Sequence, residues 1–274
     1  MEFLDKINEA EAAKAFSRQS LVFDDYDERN TIIRYKRKRV REHVLRYMPP
    51  SGSILELNSG TGRDAIFFAD RGYRVHATDI AEGMQLQLKE KVQWLGLTDR
   101  VSAELCSFNA LDQLQEKGPY DLIFSNFAGL NCTNRLDQVL QSFSPLVKPG
   151  GQVTLVILPG FSLWETLLIF RGKFRTALRR FFSSQGTKSH VEGVYFKCWY
   201  YSPSYVTAHL SANFDLLGLE GLCTIVPPSY IENFAEKRPK LYNWLCGKED
   251  KLKEKWPWRS IGDYYIISFR KRPI

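Results

Sequence analysis

Apolar residues along this chain fall into short runs, which are separated by longer stretches with helical spacing. The short runs predict strands, and they lie at residues 54–57, 73–78, 101–105, 120–125 and 152–158. Residues 81–95 and 134–146 have the spacing of helices that bury one face. Strands that alternate with helices predict a parallel sheet with right-handed crossovers.

The chain after residue 158 departs from this alternation. Residues 159–201 and 229–260 are rich in aromatic side chains and are too long for simple connections. Between them the pattern predicts a helix at 202–212, with Ser202 as its N-cap, and a strand at 214–225. A last strand is predicted at residues 263–270. We therefore expect two insertions around the final strands.

The chain before the first strand predicts two helices, at residues 2–19 and 29–48, and Pro49 with Pro50 stops the second. Residues 29–48 carry many cations and few acids, so this helix has either a solvated basic face or a contact with an anionic ligand. We expect an N-terminal helical cap at residues 1–48 and one main domain at residues 49–274.

A glycine turn with an acid before it follows the first strand. Gly60 and Gly62 let the backbone approach a ligand, and the next helix points its free N–H groups at that ligand. Asp79, after the second strand, suits ribose hydroxyls. A dinucleotide turn has a third glycine where this chain has Ala65, and Glu56 would repel a pyrophosphate but suits a cationic amino-acid group. These residues predict a site for an adenosine-containing cofactor.

The segment from Glu56 to Gly62 resembles the Glu-x-Gly-x-Gly-x-Gly signature of class I S-adenosylmethionine-dependent methyltransferases. Asn58 stands at the first glycine, and asparagine tolerates a positive φ better than most residues. Residues 63–75, 120–123 and 146–151 extend the resemblance over about residues 50–158. Another Rossmann-like strand–turn–helix is the alternative.

The resemblance implies an α/β fold: a Rossmann-like, seven-stranded, mostly parallel sheet with an antiparallel last strand and helices on both faces. It also implies S-adenosylmethionine as the cofactor and S-adenosylhomocysteine as the product. The residues that it places at the cofactor are Tyr26, Arg37, Glu56, Asn58, Gly60, Thr61, Gly62, Asp79, Ile80, Met84, Ser107, Phe108 and Asn126.

The roles of the residues after the third and fourth strands have more than one possible assignment. Many family members have an acid after the third strand that holds the adenine amino group, and here Ser107 or Asn109 would have to replace it. Asn126 follows the fourth strand. It either lies where the sulfonium of the cofactor meets the methyl acceptor, or it caps the following turn.

The composition indicates in which cellular compartment the protein is expected. The 274 residues are 44% hydrophobic, and no apolar run approaches the roughly 20 residues of a membrane span. Five cysteines without metal-site spacing predict reduced thiols in a cytoplasmic protein and no metal centre. The acidic, mixed start of the chain does not have the pattern of a secretory signal.

The function predicted from these features is methylation of a small, aromatic or lipophilic metabolite. The apolar and then basic part of residues 159–201 fits an acceptor lid, a peripheral membrane contact or a cover for the sheet edge. Residues 229–260 are candidates for the acceptor pocket or for a homodimer contact. His190 is the candidate general base, and Tyr195 is the weaker one.

Two other functions stay open. The net charge of +7 favours an RNA methyltransferase, although the sequence has no recognisable nucleic-acid-binding module and nucleic acid is therefore the less favoured partner. A non-catalytic protein that binds S-adenosylmethionine is the other alternative, because Asn58 and Ser107 depart from the family pattern.

Overall fold

A seven-stranded sheet forms the centre of the computed structural model, which describes residues 2–231 and 233–273 and, of these, the side chains of all but residues 2, 3 and 171. Its strands are β1 Ser53–Leu57, β2 Arg74–Asp79, β3 Val101–Leu105, β4 Tyr120–Ser125, β5 Val147–Ile157, β8 Phe214–Leu222 and β9 Tyr264–Lys271, and β6 Thr187–Val191 with β7 Val194–Cys198 forms a separate hairpin. The sheet has the order β3-β2-β1-β4-β5-β9-β8, and β1 to β5 are parallel. β9 pairs antiparallel with both β5 and β8, which confirms the predicted seven strands and antiparallel last strand.

Helices cover both faces of the sheet. One core contains side chains of α2, α3 and α4, and the other contains side chains of α5 and α8. The helices are α1 Glu2–Arg29, α2 Thr31–Tyr47, α3 Arg63–Ala69, α4 Glu82–Trp94, α5 Leu136–Gln141, α6 Leu163–Leu167, α7 Phe174–Leu178, α8 Pro203–Leu210, α9 Phe234–Lys237 and α10 Pro239–Leu252. Short 3₁₀ helices lie at Phe108–Gln113, Gly129–Cys132, Ser144–Leu146, Leu168–Arg171 and Trp258–Ser260.

Several predicted boundaries were wrong. α1 continues to Arg29 instead of ending near residue 19, and Asn30 separates it from α2 by accepting the N–H groups of Ile32 and Ile33. The helix predicted at 134–146 ends at Gln141, and the strand predicted at 152–158 begins earlier, because β5 starts at Val147. β8 ends at Leu222, before Cys223 takes a φ of 53°.

Three cations of α2 point inward, so a solvated basic face is the wrong interpretation for these three, whereas Arg34, Lys38 and Arg46 are exposed. Lys36, Arg37 and Arg39 are buried. Arg39 pairs with Glu220 at 3.1 Å, an acid 181 residues later in the chain. The sequence of α2 alone does not show these partners, because they come from distant segments.

α1 and the first insertion lie together. The β6–β7 hairpin packs on α1, where the rings of Phe16 and Phe196 are 5.5 Å apart. The Asn8 side chain donates to the carbonyls of Cys132 and Lys197, at 2.9 and 3.2 Å. The insertion therefore closes against the N-terminal helix.

Buried ion pairs hold the same insertion to the sheet. Arg180 donates to Glu165 at 2.8 Å and to Asp263, just before β9, at 3.0 Å. Breaking such a pair by removing one partner leaves an unpaired buried charge, which is strongly destabilising.

Within the described residues, no helix has the length and hydropathy needed to cross a membrane.

Candidate cofactor site

A cavity lies at the carboxyl ends of β1, β2 and β4, and α1 forms its outer wall. Its empty space is about 950 Å³, including the part open to solvent. The α1 side chains in the wall are Glu9, Ala12, Phe16 and Phe23. Nine of the predicted cofactor residues line the cavity: Arg37, Glu56, Asn58, Gly60, Asp79, Ile80, Met84, Phe108 and Asn126.

The turn after β1 has the left-handed backbone that its residues permit. Asn58, Gly60 and Gly62 have φ values of 47°, 56° and 80°. Asn58 is held by two hydrogen bonds, because it donates to the carbonyl of Asn126 at 2.8 Å and accepts the hydroxyl of Ser125 at 2.6 Å. The asparagine at the first glycine position thus connects the loop after β1 to the end of β4.

Two glycines make this packing possible. A Cβ on Gly129 would lie 2.3 Å from Cγ of Asn58, so only glycine leaves room for the asparagine. A Cβ on Gly62 would lie 1.9 Å from Cδ1 of Leu88. Gly62 is therefore needed for the packing of α4 beneath the turn.

Glu56 presents an unsatisfied carboxylate oxygen at the start of this turn. The residue is only 2% exposed, and its Oε2 is buried without a hydrogen-bond partner among the described residues. Burial, followed by the negative charge of Asp64, raises the pKa of Glu56 well above its usual value. A cationic ligand group at this position would supply the missing partner.

Asp79 is fixed at the end of β2 by backbone donors. Its carboxylate accepts the N–H groups of Gly60 and Ala81, each at 2.9 Å. Burial raises the pKa of Asp79, and these N–H donors offset part of the effect. Thr61 is buried but turned away, since its hydroxyl donates to Asp24 of α1 at 2.6 Å.

The end of β4 has a strained backbone beside the cavity. Phe127 and Ala128 have φ values of 48° and 61°, which are uncommon for residues other than glycine and occur often at active sites. The Asn126 side chain accepts the N–H of Phe127 and donates to Asp64, both at 2.8 Å. Asn126 thus caps the following turn, as one alternative predicted, and also lines the cavity.

Arg37 reaches the cavity within a buried group of charges. It donates to both carboxylate oxygens of Asp27 at 3.1 Å and to Asp64 at 2.5 Å. Burial would raise the pKa of Asp64, but Arg37 and Arg41 outweigh it and hold that pKa below its usual value. The Arg37 guanidinium lies 4.6 Å from the ring centre of Phe127.

A carboxylate from α1 lies where the resemblance led us to expect an acid after β3. Glu9 accepts the side-chain amide of Asn109 at 2.9 Å and the hydroxyl of Ser107. Phe108 and Asn109 line the cavity, whereas Ser107 caps the 3₁₀ helix after β3. Sequence reasoning missed Glu9, because it is 98 residues from Ser107 and no local motif marks it.

Three predicted residues lie elsewhere. Tyr26 is 53% exposed and borders a separate surface pocket with Arg29. His190 and Tyr195 are exposed cross-strand neighbours in the β6–β7 hairpin, with rings 4.5 Å apart. None of the three is among the residues that line the cavity. The inner face of the hairpin packs on α1, whereas His190 and Tyr195 are on its exposed face. The geometry therefore does not support His190 as a base at this site.

The source of the aromatic wall also differs from expectation. The rings in the cavity belong to Phe16, Phe23, Phe108 and Phe127, which lie outside both insertions. Phe196 and Tyr201 of the first insertion are instead buried in the core clusters. The insertion shapes the site mainly by holding α1 in place.

Comparisons with known proteins agree with this geometry. Residues 54–151 match the sequence profile of the family described as "Methyltransferase domain". A highly reducing polyketide synthase, easB, of Emericella nidulans is 28% identical over 140 residues. That match covers 47% of this chain and only 6% of the relative, so the chain spans a small part of that protein's length.

Solved structures share the fold at low sequence identity. The 1,6-didemethyltoxoflavin-N1-methyltransferase of Burkholderia thailandensis has a TM-score of 0.56 at 15% identity, over 96% of this chain and 88% of that one. The CcbJ methyltransferase of Streptomyces caelestis has a TM-score of 0.54 at 16% identity, over 85% and 93%. The [4+2]-cyclase SpnF also has a TM-score of 0.54 at 16% identity, over 86% and 81%. Residues 54–151 thus match the profile of a methyltransferase domain, and the chain shares its fold with solved proteins that are named as methyltransferases.

Proposed function

We propose that the cavity binds S-adenosylmethionine and that the protein transfers its methyl group to a small lipophilic or aromatic acceptor. The observation that carries this proposal is the unpartnered, buried Oε2 of Glu56, in a cavity that the glycine turn and the buried acid Asp79 also line. A buried carboxylate without a partner is costly, and an ammonium group offsets that cost.

Different lining residues would contact different parts of the cofactor. Glu56 would hold the α-ammonium group, and Asp79 would accept the ribose hydroxyls while the N–H of Gly60 keeps it in place. Ile80 and Phe108 would pack on the adenine ring, with Met84 beside them. When bound, the cofactor supplies an activated methyl group on a sulfonium.

The adenine amino group would be recognised from α1. Glu9 lies against Asn109 in the cavity wall after β3, and it provides the carboxylate that the local sequence lacks. The N-terminal helix would therefore take part in binding the cofactor as well as in covering it.

The acceptor would lie near the end of β4, between Phe127 and the α1 ring of Phe23. Both rings line the cavity and suit an apolar ligand. Histidine and tyrosine are absent from the described lining residues, so we expect alignment of the reacting atoms, rather than a neutral base, to provide the rate enhancement. His190 and Tyr195 are then dispensable for turnover.

The two alternative functions have less support. Some of the cations behind the net charge that favoured RNA, among them Arg37 and Arg39 of α2, are buried and paired with acids. The similarity to the [4+2]-cyclase SpnF shows that this fold is also found in a protein named for another reaction, so turnover must be measured separately from binding. A homodimer contact at residues 229–260 and a cytoplasmic location stay predictions from the sequence.

The experiment is a methyl-transfer screen with methyl-labelled cofactor, aromatic and lipid-like metabolites, total RNA and protein extract. We expect label in the small-molecule fraction, and turnover that His190→Ala leaves unchanged. Label confined to RNA or protein would contradict the acceptor class. Stoichiometric cofactor binding without transfer to any fraction would instead indicate a non-catalytic binding protein.

A further inference from the structure

A second apolar site lies away from the cofactor cavity, between α6 and α10. It is an open groove of about 650 Å³, including the part open to solvent, and three tryptophans line it: Trp164, Trp244 and Trp258. Aliphatic residues, among them Leu167 and Leu252, complete its walls, and the exposed Lys248 lies at 5.2 Å from the ring centre of Trp244. The indole N–H of Trp164 is buried without a hydrogen-bond partner among the described residues.

The chain continues from this groove into exposed phenylalanines. Leu167 lines the groove, and Phe170, Phe174 and Phe182 follow, at 86%, 58% and 78% exposure. Exposed rings in such number are unusual for a surface that faces only water. Because α6 packs on α7, the groove and these rings belong to one part of the fold.

The charge on this segment has one sign. Residues 166–191 contain no aspartate or glutamate. Lys173 and Arg175 are exposed between the phenylalanines, whereas the acid just before the segment, Glu165, is buried and paired with Arg179 and Arg180. The accessible charges next to the rings are therefore cations.

We propose that this face, made of the tryptophan groove and residues 167–182, docks on an anionic lipid bilayer. Rings and leucines enter the boundary between headgroups and acyl chains, and the lysine and arginine side chains contact lipid phosphates. Tryptophan suits this boundary because an apolar ring and a hydrogen-bond donor are both satisfied there. The abundant aliphatic side chains favour lipid over single-stranded RNA, which would need rings for base stacking. This proposal does not depend on methyl transfer.

The experiment is flotation of the full-length protein with vesicles of phosphatidylcholine, with or without phosphatidylglycerol. We expect binding to the anionic vesicles at low salt and weaker binding at high salt. The double variant Lys173→Glu/Arg175→Glu should lower the partition coefficient by about tenfold or more, and Phe170→Ser/Phe174→Ser should lower it as well. Because these side chains are exposed, thermal unfolding of the variants should match the wild type.

Matched controls lie on α4, where Trp94 is 84% exposed and Lys89 is also exposed. Trp94→Ser and Lys89→Glu should leave partitioning unchanged. Quenching of wild-type tryptophan fluorescence by lipids with brominated acyl chains gives a test that needs no variant. Absence of vesicle binding, equal losses in the α4 controls, or full displacement from vesicles by polyuridine would overturn the proposal.

Discussion

The Glu56 carboxylate makes the cofactor cavity sensitive to pH. Burial and the nearby charge of Asp64 raise its pKa, so the free protein holds a proton there at pH values where most glutamates are ionised. An ammonium group stabilises the ionised form. Binding of a cationic ligand must therefore release that proton whenever the pH lies below the raised pKa.

We expect the affinity for S-adenosylhomocysteine to fall as the pH is lowered through this pKa, by about tenfold per unit. Calorimetry in buffers of different ionisation enthalpy should detect the released proton. Glu56→Gln should bind at least about thirtyfold more weakly, because a buried charge pair is lost, and without this pH dependence. A wild-type affinity that stays constant from about pH 5 to pH 8 would refute a raised pKa in the free protein.

Gly62 provides a test of the turn that does not involve a ligand. Gly62→Ala combines a positive φ with an overlap on Leu88, and Gly72→Ala has a positive φ of 94° but open space around its Cβ. We expect Gly72→Ala to lower the free energy of unfolding by about 1–2 kcal/mol. Gly62→Ala should cost about 1–3 kcal/mol more, because of the overlap. Equal losses in urea denaturation would show that Leu88 moves aside freely.

At the level of residues, the sequence predicts best what depends on local backbone chemistry. Asn58, Gly60 and Asp79 line the cavity because a strand, a turn and a helix are enough to place them. Tyr26 and Glu9 show the limit. Both lie on α1, and the angle at which that helix crosses the sheet decides which of its side chains face the ligand.

α1 is the element that joins the parts of the site. Its side chains line the cavity, Asp24 accepts the Thr61 hydroxyl and pairs with Lys91, and its outer side packs on the β6–β7 hairpin. Several of these contacts are polar and partly exposed, so we expect α1 to be among the first elements to open. The entry of the cofactor would then require α1 to move.

Glu9 and Glu11 form a matched pair for testing this helix. Glu9 lines the cavity, and Glu11, two residues later on the same helix, does not. We expect Glu9→Gln to weaken binding of S-adenosylhomocysteine by about fivefold or more, because a charged hydrogen-bond acceptor is replaced. Glu11→Gln should bind as the wild type does. The same small effect for both variants in calorimetry would exclude adenine recognition by Glu9.

The elements were predicted to different degrees. β1 to β4 and α4 were found close to the predicted positions, because buried strands and one-sided helices have distinct periods. The β6–β7 hairpin was not predicted. Its burial alternates along β7, but its core partners, Ala12 and Ala15, come from α1 and not from neighbouring sequence.

For the whole molecule, the net charge of +7 says less about the binding partner than the way in which the individual charges are paired. Several arginines are buried in ion pairs with acids, among them Arg37, Arg39 and Arg180. The remaining accessible cations near residues 167–182 lie away from the cofactor cavity. The cofactor cavity, closed by α1, and the tryptophan groove, open at the surface, are thus separate apolar sites.

The measurement that most directly tests the account is calorimetric titration of the wild-type protein with S-adenosylhomocysteine, and in parallel with a nicotinamide dinucleotide. We expect one site per chain for S-adenosylhomocysteine with a dissociation constant of about 1–10 μM or lower. Asp79→Ala should bind at least about tenfold more weakly, since a buried hydrogen-bonding partner is lost. Absence of S-adenosylhomocysteine binding, or preferential binding of the dinucleotide, would contradict this expectation.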